Sequence, residues 1–294
     1  FGIGRKMATF ATTITLAFIW RNYWALAVGT VVGHVLELGL SYYVHSYRPR
    51  FSLAKVGEIW SYSICILVQS VGRYLETRLD QVVVAGVVPP GDMGRYTISA
   101  ELGSLPMTEL VEPVGRALFP NYARISADPS LLRDVYLRVF SAAATVCISI
   151  SAGLVLVSKD FVAVLLGPQW ASSAYLLCWF AAAGAVTGIS NTVFSVFNAV
   201  GSTRLSATQS WLRVAAYVPA VAWAASTGTL GNFVIARFAI SVVLAPTFFL
   251  QLRRVMPITF SQLAAALWRP LVASVAMWIG LTMISFSALI NNVV

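Results

Sequence analysis

The chain has 294 residues, 58% of them hydrophobic and only 11% charged, with a mean hydropathy of +0.78. A water-soluble domain carries about 25% charged residues, so that class is excluded. The net charge of +9 would suit nucleic acid, but most of the cations sit in short segments flanking apolar runs, where they set the direction of membrane insertion; no nucleic-acid partner is expected.

Nine apolar segments predict membrane helices at 7–20, 23–44, 56–88, 94–119, 136–158, 172–200, 205–226, 230–250 and 264–289. At the start, Arg5-Lys6, an apolar run and Ala25-Leu26-Ala27 imitate a secretion signal. Arg21 interrupts that run and a second apolar span follows, so a helical hairpin is predicted instead. Because residue 1 is Phe and a span begins almost at once, the chain reads as a fragment of a longer membrane protein. Several segments exceed the roughly 20 residues that cross the hydrocarbon, so tilt, kinks or ends projecting into water are expected. Turn chemistry punctuates the series at Pro89-Pro90-Gly91-Asp92, Asp128-Pro129-Ser130, Gly167-Pro168, Gly201-Ser202-Thr203 and Thr227-Gly228-Thr229. Cys65, Cys147 and Cys178 lie inside apolar stretches without a CxxC pair and read as packing residues. His34 and Glu37 share a helix face, but two groups make no metal site, and no metal or cofactor is expected.

Cations alternate between the two sides of this series. One set of ends and loops holds Arg5 and Lys6; Arg48, Arg50 and Lys55; Arg124, Arg133 and Arg138; Arg204; and Arg253 and Arg254. The other holds Arg21, Arg95 and Lys159, with nothing between Thr227 and Gly231. The first set is therefore assigned to the cytoplasm, which starts the chain inside and finishes it outside.

Charges also occur within the spans, where an ionised residue facing lipid at mid-bilayer costs about 2.5–3.5 kcal/mol. In 56–88, Arg73, Glu76 and Asp80 recur at i, i+3 and i+7 on one face, with Arg78 on another. In 94–119, Glu101, Glu109, Glu112 and Arg116 fall within about 80° of one another on an ideal helix, which Pro106 and Pro113 should kink. Arg213 and Arg237 lie well inside later spans, and Asn191, Ser195 and Asn198 form a softer polar stripe. Two readings compete: ion pairs that hold helices together, such as Arg73 with Glu76 or Glu112 with Arg116, and a water-filled cavity. The cavity reading is preferred, since intramembrane charges usually face a bundle interior or a substrate path. Gly184 and Gly188, spaced as GxxxG, read as a helix-packing contact.

Five strings then appear in order: Leu79-Asp80-Gln81-Val82-Val83-Val84-Ala85-Gly86, Met93-Gly94-Arg95-Tyr96-Thr97-Ile98-Ser99-Ala100, Ala117-Leu118-Phe119-Pro120, Leu165-Leu166-Gly167-Pro168-Gln169-Trp170 and Phe197-Asn198-Ala199-Val200-Gly201. With their helix pattern, over about residues 20–255, they make the chain resemble the Wzx-type flippases of the multidrug/oligosaccharidyl-lipid/polysaccharide exporter superfamily. The resemblance implies an all-α, polytopic, MATE-like bundle of two six-helix lobes in a bacterial inner membrane. On that pattern 1–44 closes the first lobe, 45–55 is a cytoplasmic linker, 56–250 is the second lobe, and 251–294 adds one more helix.

The implied substrate is an oligosaccharide on a polyprenyl diphosphate, passed from the cytoplasmic to the outer leaflet by alternating access for lipopolysaccharide, exopolysaccharide or capsule synthesis. Membrane lipids, a coupling proton or sodium ion, and polysaccharide polymerase or export machinery are the implied partners. Arg73, Arg213 and Arg237, with Arg78, are the expected head-group contacts, because a guanidinium fork suits phosphate. Glu76, Asp80, Glu101, Glu109 and Glu112 are the expected cavity carboxylates, pairing those cations in the empty state or carrying the coupling ion. A drug or cation antiporter of the same superfamily remains the nearest alternative. A membrane polymerase or ligase would need catalytic groups on a sizeable outer loop. The longest such segment, 159–171, is short, apolar and without His, so no enzyme is expected.

Overall fold

An apolar run crossing a bilayer finds no water for its backbone, so it must bond its own N–H and C=O groups, and helix is the outcome. The computed structural model describes residues 2–22, 24–44 and 56–291, among which no strand occurs. Its helices are α1 (Gly2–Trp20), α2 (Trp24–Val44), α3 (Val56–Val87), α4 (Pro90–Leu105), α5 (Glu112–Ile125), α6 (Pro129–Leu165), α7 (Ser173–Ala199), α8 (Thr203–Thr227), α9 (Leu230–Leu252) and α10 (Phe260–Asn291). The predicted linker 45–55, with Arg48, Arg50 and Lys55, and the side chains of Arg5, Lys6 and Glu37 lie outside the described residues.

The chain divides into two compact units, Phe1–Glu58 and Ile59–Val294. In the first, α1 and α2 form the expected hairpin. Arg21 makes the break, adopting a left-handed φ of 46° while its N–H returns to the Ala17 carbonyl at 3.0 Å. A residue in that conformation just past the last turn ends a helix.

In the second unit α7 is the central helix, with α4, α5, α6 and α9 packed along it. The approach of α4 is possible because two glycines meet there. A Cβ on Gly184 would lie 2.5 Å from the Gly103 carbonyl oxygen, and one on Gly103 would lie 2.6 Å from Phe180 Cβ. The GxxxG spacing is thus a packing contact, and Cys147 fills the space beside Gly188. Two apolar clusters close the unit at opposite ends. One gathers Tyr122, Leu132, Tyr136, Phe197 and Leu252; the other gathers Tyr96, Phe180, Tyr217, Val221 and Phe233.

Among the described residues four helices, α6, α7, α9 and the Phe260–Gly280 part of α10, are long and apolar enough to cross a membrane on composition alone. The α3, α4–α5 and α8 segments are helical where spans were predicted, but ionic residues lower their hydropathy. Of those residues Glu76, Asp80 and Arg213 are turned into the bundle and paired there. The molecule is an all-helical polytopic membrane protein.

Two helices differ from their predicted form. The segment 94–119 is not one kinked helix, because a π-helical turn over Pro106–Val111 separates α4 from α5. Pro106 has no N–H for the i→i−4 ladder, and a wider turn accommodates the lost bond. The second difference is α6, which begins at Pro129 rather than at 136 and runs 37 residues, about 55 Å. Asp128 caps it, accepting from the N–H groups of Ser130 and Leu131, so the helix starts before the apolar stretch does.

Candidate functional site

The stripe on α3 is the spine of the site. Residues 73, 76 and 80 lie within seven positions, about 10 Å along the axis, and each reaches a different helix. Arg73 approaches Glu112 of α5 at 3.4 Å, Glu76 meets Arg213 of α8 at 2.6 Å, and Asp80 meets Arg237 of α9 at 2.8 Å. The i, i+3 and i, i+4 pairings considered from sequence, Arg73–Glu76 and Glu112–Arg116, are therefore replaced by pairings between helices. A charge on the inner face of one helix lies closer to the opposed helix than to solvent, and cross-helix partners remove it from lipid.

The three pairs differ in closure. Asp80 is 2% exposed, and its carboxylate is saturated. Oδ1 accepts from the Gln81 N–H at 2.8 Å, while Oδ2 accepts from the Tyr96 hydroxyl at 2.8 Å, the Tyr217 hydroxyl at 2.9 Å and Arg237 at 2.8 Å. Arg213 is almost as enclosed; it also donates to Asn191 Oδ1 at 3.2 Å and lies over the Phe248 ring. Glu76, Arg213, Tyr217 and Arg237 border a space of only about 10 Å³, too small for a head group. Arg73 and Glu112 are different, with side chains 43% and 37% exposed.

That third pair lies on the wall of a cavity of about 880 Å³ between α3, α5, α6 and α7. Arg116 and Arg138 line it as well, and neither has an ionic partner among the described residues. The polar stripe read from sequence, Asn191, Ser195 and Asn198, forms part of the wall from α7. Tyr122 lies there too, 1% exposed, with a hydroxyl that has no hydrogen-bond partner among the described residues. Most of the remaining lining is apolar, including Leu110, Val114 and Phe119.

The expected site residues thus separate into three groups. Arg73 and Glu112 border the large cavity; Glu76, Asp80, Arg213 and Arg237 form the closed pairs beside it. Arg78, Glu101 and Glu109 are exposed and line neither space, Arg78 donating to Gln81 Oε1 at 2.7 Å. The acidic stripe is split because a π turn admits an extra residue, rotating the downstream residues by about 100° relative to an unbroken helix. Arg138, counted among the basic ends and loops as the start of the predicted span 136–158, lies in the third turn of the lengthened α6. Tyr96 and Tyr217 went unmarked, since a tyrosine in an apolar run looks like any other hydrophobe until its carboxylate partner is known.

Residues 3–175 match a family model described as "Polysaccharide biosynthesis protein". The chain is 25% identical over 280 residues to the lipopolysaccharide biosynthesis protein WzxC of Escherichia coli K12, covering 91% of this chain and 56% of that protein. It is 24% identical over 220 residues to the succinoglycan biosynthesis transport protein ExoT of Rhizobium meliloti, covering 74% of this chain and 44% of that one. The chain spans about half the length of the curated relatives it matches. Among solved structures, the lipid II flippase MurJ in an inward closed conformation superposes with a TM-score of 0.71 at 13% identity, covering 93% of this chain and 60% of that one. At that identity the likeness establishes the fold.

Proposed function

Because the chain belongs to the polysaccharide biosynthesis protein family, we propose that it is part of a flippase for a polyprenyl-diphosphate-linked oligosaccharide. The substrate moves from the cytoplasmic to the outer leaflet of a bacterial inner membrane by alternating access, with no bond made or broken. The observation that carries this reading is the composition of the 880 Å³ cavity. Its ionic lining is three arginines, Arg73, Arg116 and Arg138, against one carboxylate, Glu112, which leaves a formal charge of +2.

A cationic drug would be repelled by that lining. A diphosphate diester, with two negative charges at neutral pH, matches it. Guanidinium groups hold phosphate through paired, charge-assisted hydrogen bonds. The apolar wall suits the first isoprene units of the carrier, while the sugar stays hydrated. The cavity volume falls in the range of about 300–1,000 Å³ that small-molecule sites occupy, so it takes the diphosphate and its neighbours rather than a whole glycan. Arg213 and Arg237, the other expected head-group contacts, stand behind this cavity as enclosed pairs and enter the path when the helices part. Outward movement of two negative charges across about 100 mV, inside negative, releases roughly 4–5 kcal/mol. Returning cations can take that back, so a proton or sodium ion is retained as the proposed coupling partner.

The test is translocation of a fluorescent lipid-linked sugar in liposomes containing the full protein. Losing one charge-assisted contact costs about 1.5–3 kcal/mol. Arg116→Ala and Arg138→Ala should therefore each slow flux about tenfold or more, with the protein still folded by circular dichroism. Native flux in both variants would remove the cavity from the path.

A further inference from the structure

We propose that Glu112 is a resident competitor for the substrate anion: it occupies Arg73 while the cavity is empty, is displaced when a diphosphate enters, and reclaims Arg73 as the diphosphate leaves. This rests on the reading of the cavity as the head-group site and assigns Glu112 the control of binding and release there.

Four observations converge on this residue. Of the three pairs on α3, only Arg73–Glu112 is loose, at 3.4 Å, against 2.6 and 2.8 Å for the enclosed pairs. It is also the only one of the three with both partners on the cavity wall. Glu112 makes one contact with Arg73, through a single guanidinium nitrogen, which leaves N–H donors free for a second acceptor. Finally, Glu112 is the only negative group in the lining, where Arg116 and Arg138 stand without ionic partners among the described residues.

The exchange follows from these contacts. An entering diphosphate meets Arg116 and Arg138 uncontested and then competes with one carboxylate for Arg73. The guanidinium of Arg73 lies 5.7 Å from the centroid of the Phe194 ring, so it keeps a support on the wall when Glu112 lets go. Glu112 is the first residue of α5, immediately after the π turn, and its release unties α5 from α3. Occupancy of the cavity is thereby converted into freedom between two helices. Return of Glu112 lowers the affinity at the moment the anion must depart, so binding strength is given up in favour of turnover.

The experiment uses the purified full protein, titrated in detergent with farnesyl diphosphate, together with flux of a lipid-linked sugar in liposomes. A half-exposed ion pair competes weakly, so Glu112→Gln should bind farnesyl diphosphate about two- to fivefold tighter. Its flux should fall by a similar factor, because release slows. In an Arg73→Gln background the same change should give no gain. Should Glu112→Gln fail to fold, Glu112→Asp, with a shorter reach to Arg73, should shift both readouts in the same direction. Affinity and flux at native values in the single variant would overturn the proposal. So would an equal gain with Arg73 absent, which would reflect general charge rather than exchange. A native protein that binds no diphosphate would sink the cavity reading itself, a result distinct from normal binding that ignores Glu112.

Discussion

Arg213 illustrates what a buried charge demands of its neighbours. Its side chain is 6% exposed, and that of Glu76 is 15%, so each buried charge is compensated by the other. Removing one partner of such a pair costs about 3–5 kcal/mol, whereas replacing both with neutral groups costs much less. Arg213→Met should therefore lower thermal stability in detergent by about that amount, and adding Glu76→Gln should recover most of it. If the double variant melts no higher than the single, the pair is not the reason for the loss. Asp80 is held more completely, by two tyrosines, Arg237 and a backbone N–H, and acts as the fixed point of the α3 stripe. Spacing on α3 placed Arg73, Glu76 and Asp80 on one face, because helical phase is a local property. Their partners are 39, 137 and 157 positions away, and tertiary packing alone selects them.

Helices were legible wherever apolar length dictated them, and least legible where their ends lie in water. The early start of α6 depends on Asp128, whose carboxylate accepts from the Ser130 hydroxyl and from the N–H groups of Leu131 and Ser130; these bonds hold its pKa below the ordinary carboxylate value. A depressed pKa means that the charged cap favours the folded state above the unfolded value, about pH 4, and loses that contribution as pH falls through the folded one. Amide protection at Ser130 and Leu131, measured relative to the intrinsic exchange rate at each pH, should accordingly fall in Asp128→Ala at neutral pH and in the native protein on acidification, while α6 beyond Tyr136 is unaffected. Equal protection in the variant would leave the cap without a role. The break in α4–α5 was half legible: Pro106 and Pro113 announced an irregularity, but a kink and a π turn differ in how they rotate everything downstream. That rotation decides which carboxylates reach the cavity, so Glu112 does and Glu101 does not. The end of α3 beyond Asp80 is packed into the core through Val84, buried against Tyr96 and Tyr217, whereas around Arg73 its ties are the ion pairs, the Trp211 indole bonded to the Val68 carbonyl at 3.1 Å, and one close approach of Gly72 to Ser210. The Arg73 region of α3, held in this way, can change partners without breaking the packed core around Val84, which the exchange at Arg73 requires.

Across the second unit, the cavity lies toward the end of the bundle that is richer in cations. The cavity draws on the first half of α6 and the last turns of α7, so it lies toward the end of the bundle bearing the α5–α6, α7–α8 and α9–α10 connections. Those connections and their flanks hold Arg124, Arg133, Arg204, Arg253 and Arg254, whereas the opposite end has Arg95 and Lys159. If the cation-rich end lies in the cytoplasm, the cavity is on the side where the proposed lipid-linked sugar is loaded. The assignment of sides rests on sequence alone, since it needs only the order of spans and the count of Lys and Arg, and no contact between helices. It is tested with single cysteines in intact cells and an impermeant maleimide. Thr229→Cys, between α8 and α9, should be labelled from outside, and Ala127→Cys, between α5 and α6, should react only after the membrane is opened. The opposite pattern would turn the cavity to the exterior and reverse the direction of loading. Labelling of both from outside would break the alternation itself, and with it the assignment of α6, α7 and α8 as three full crossings.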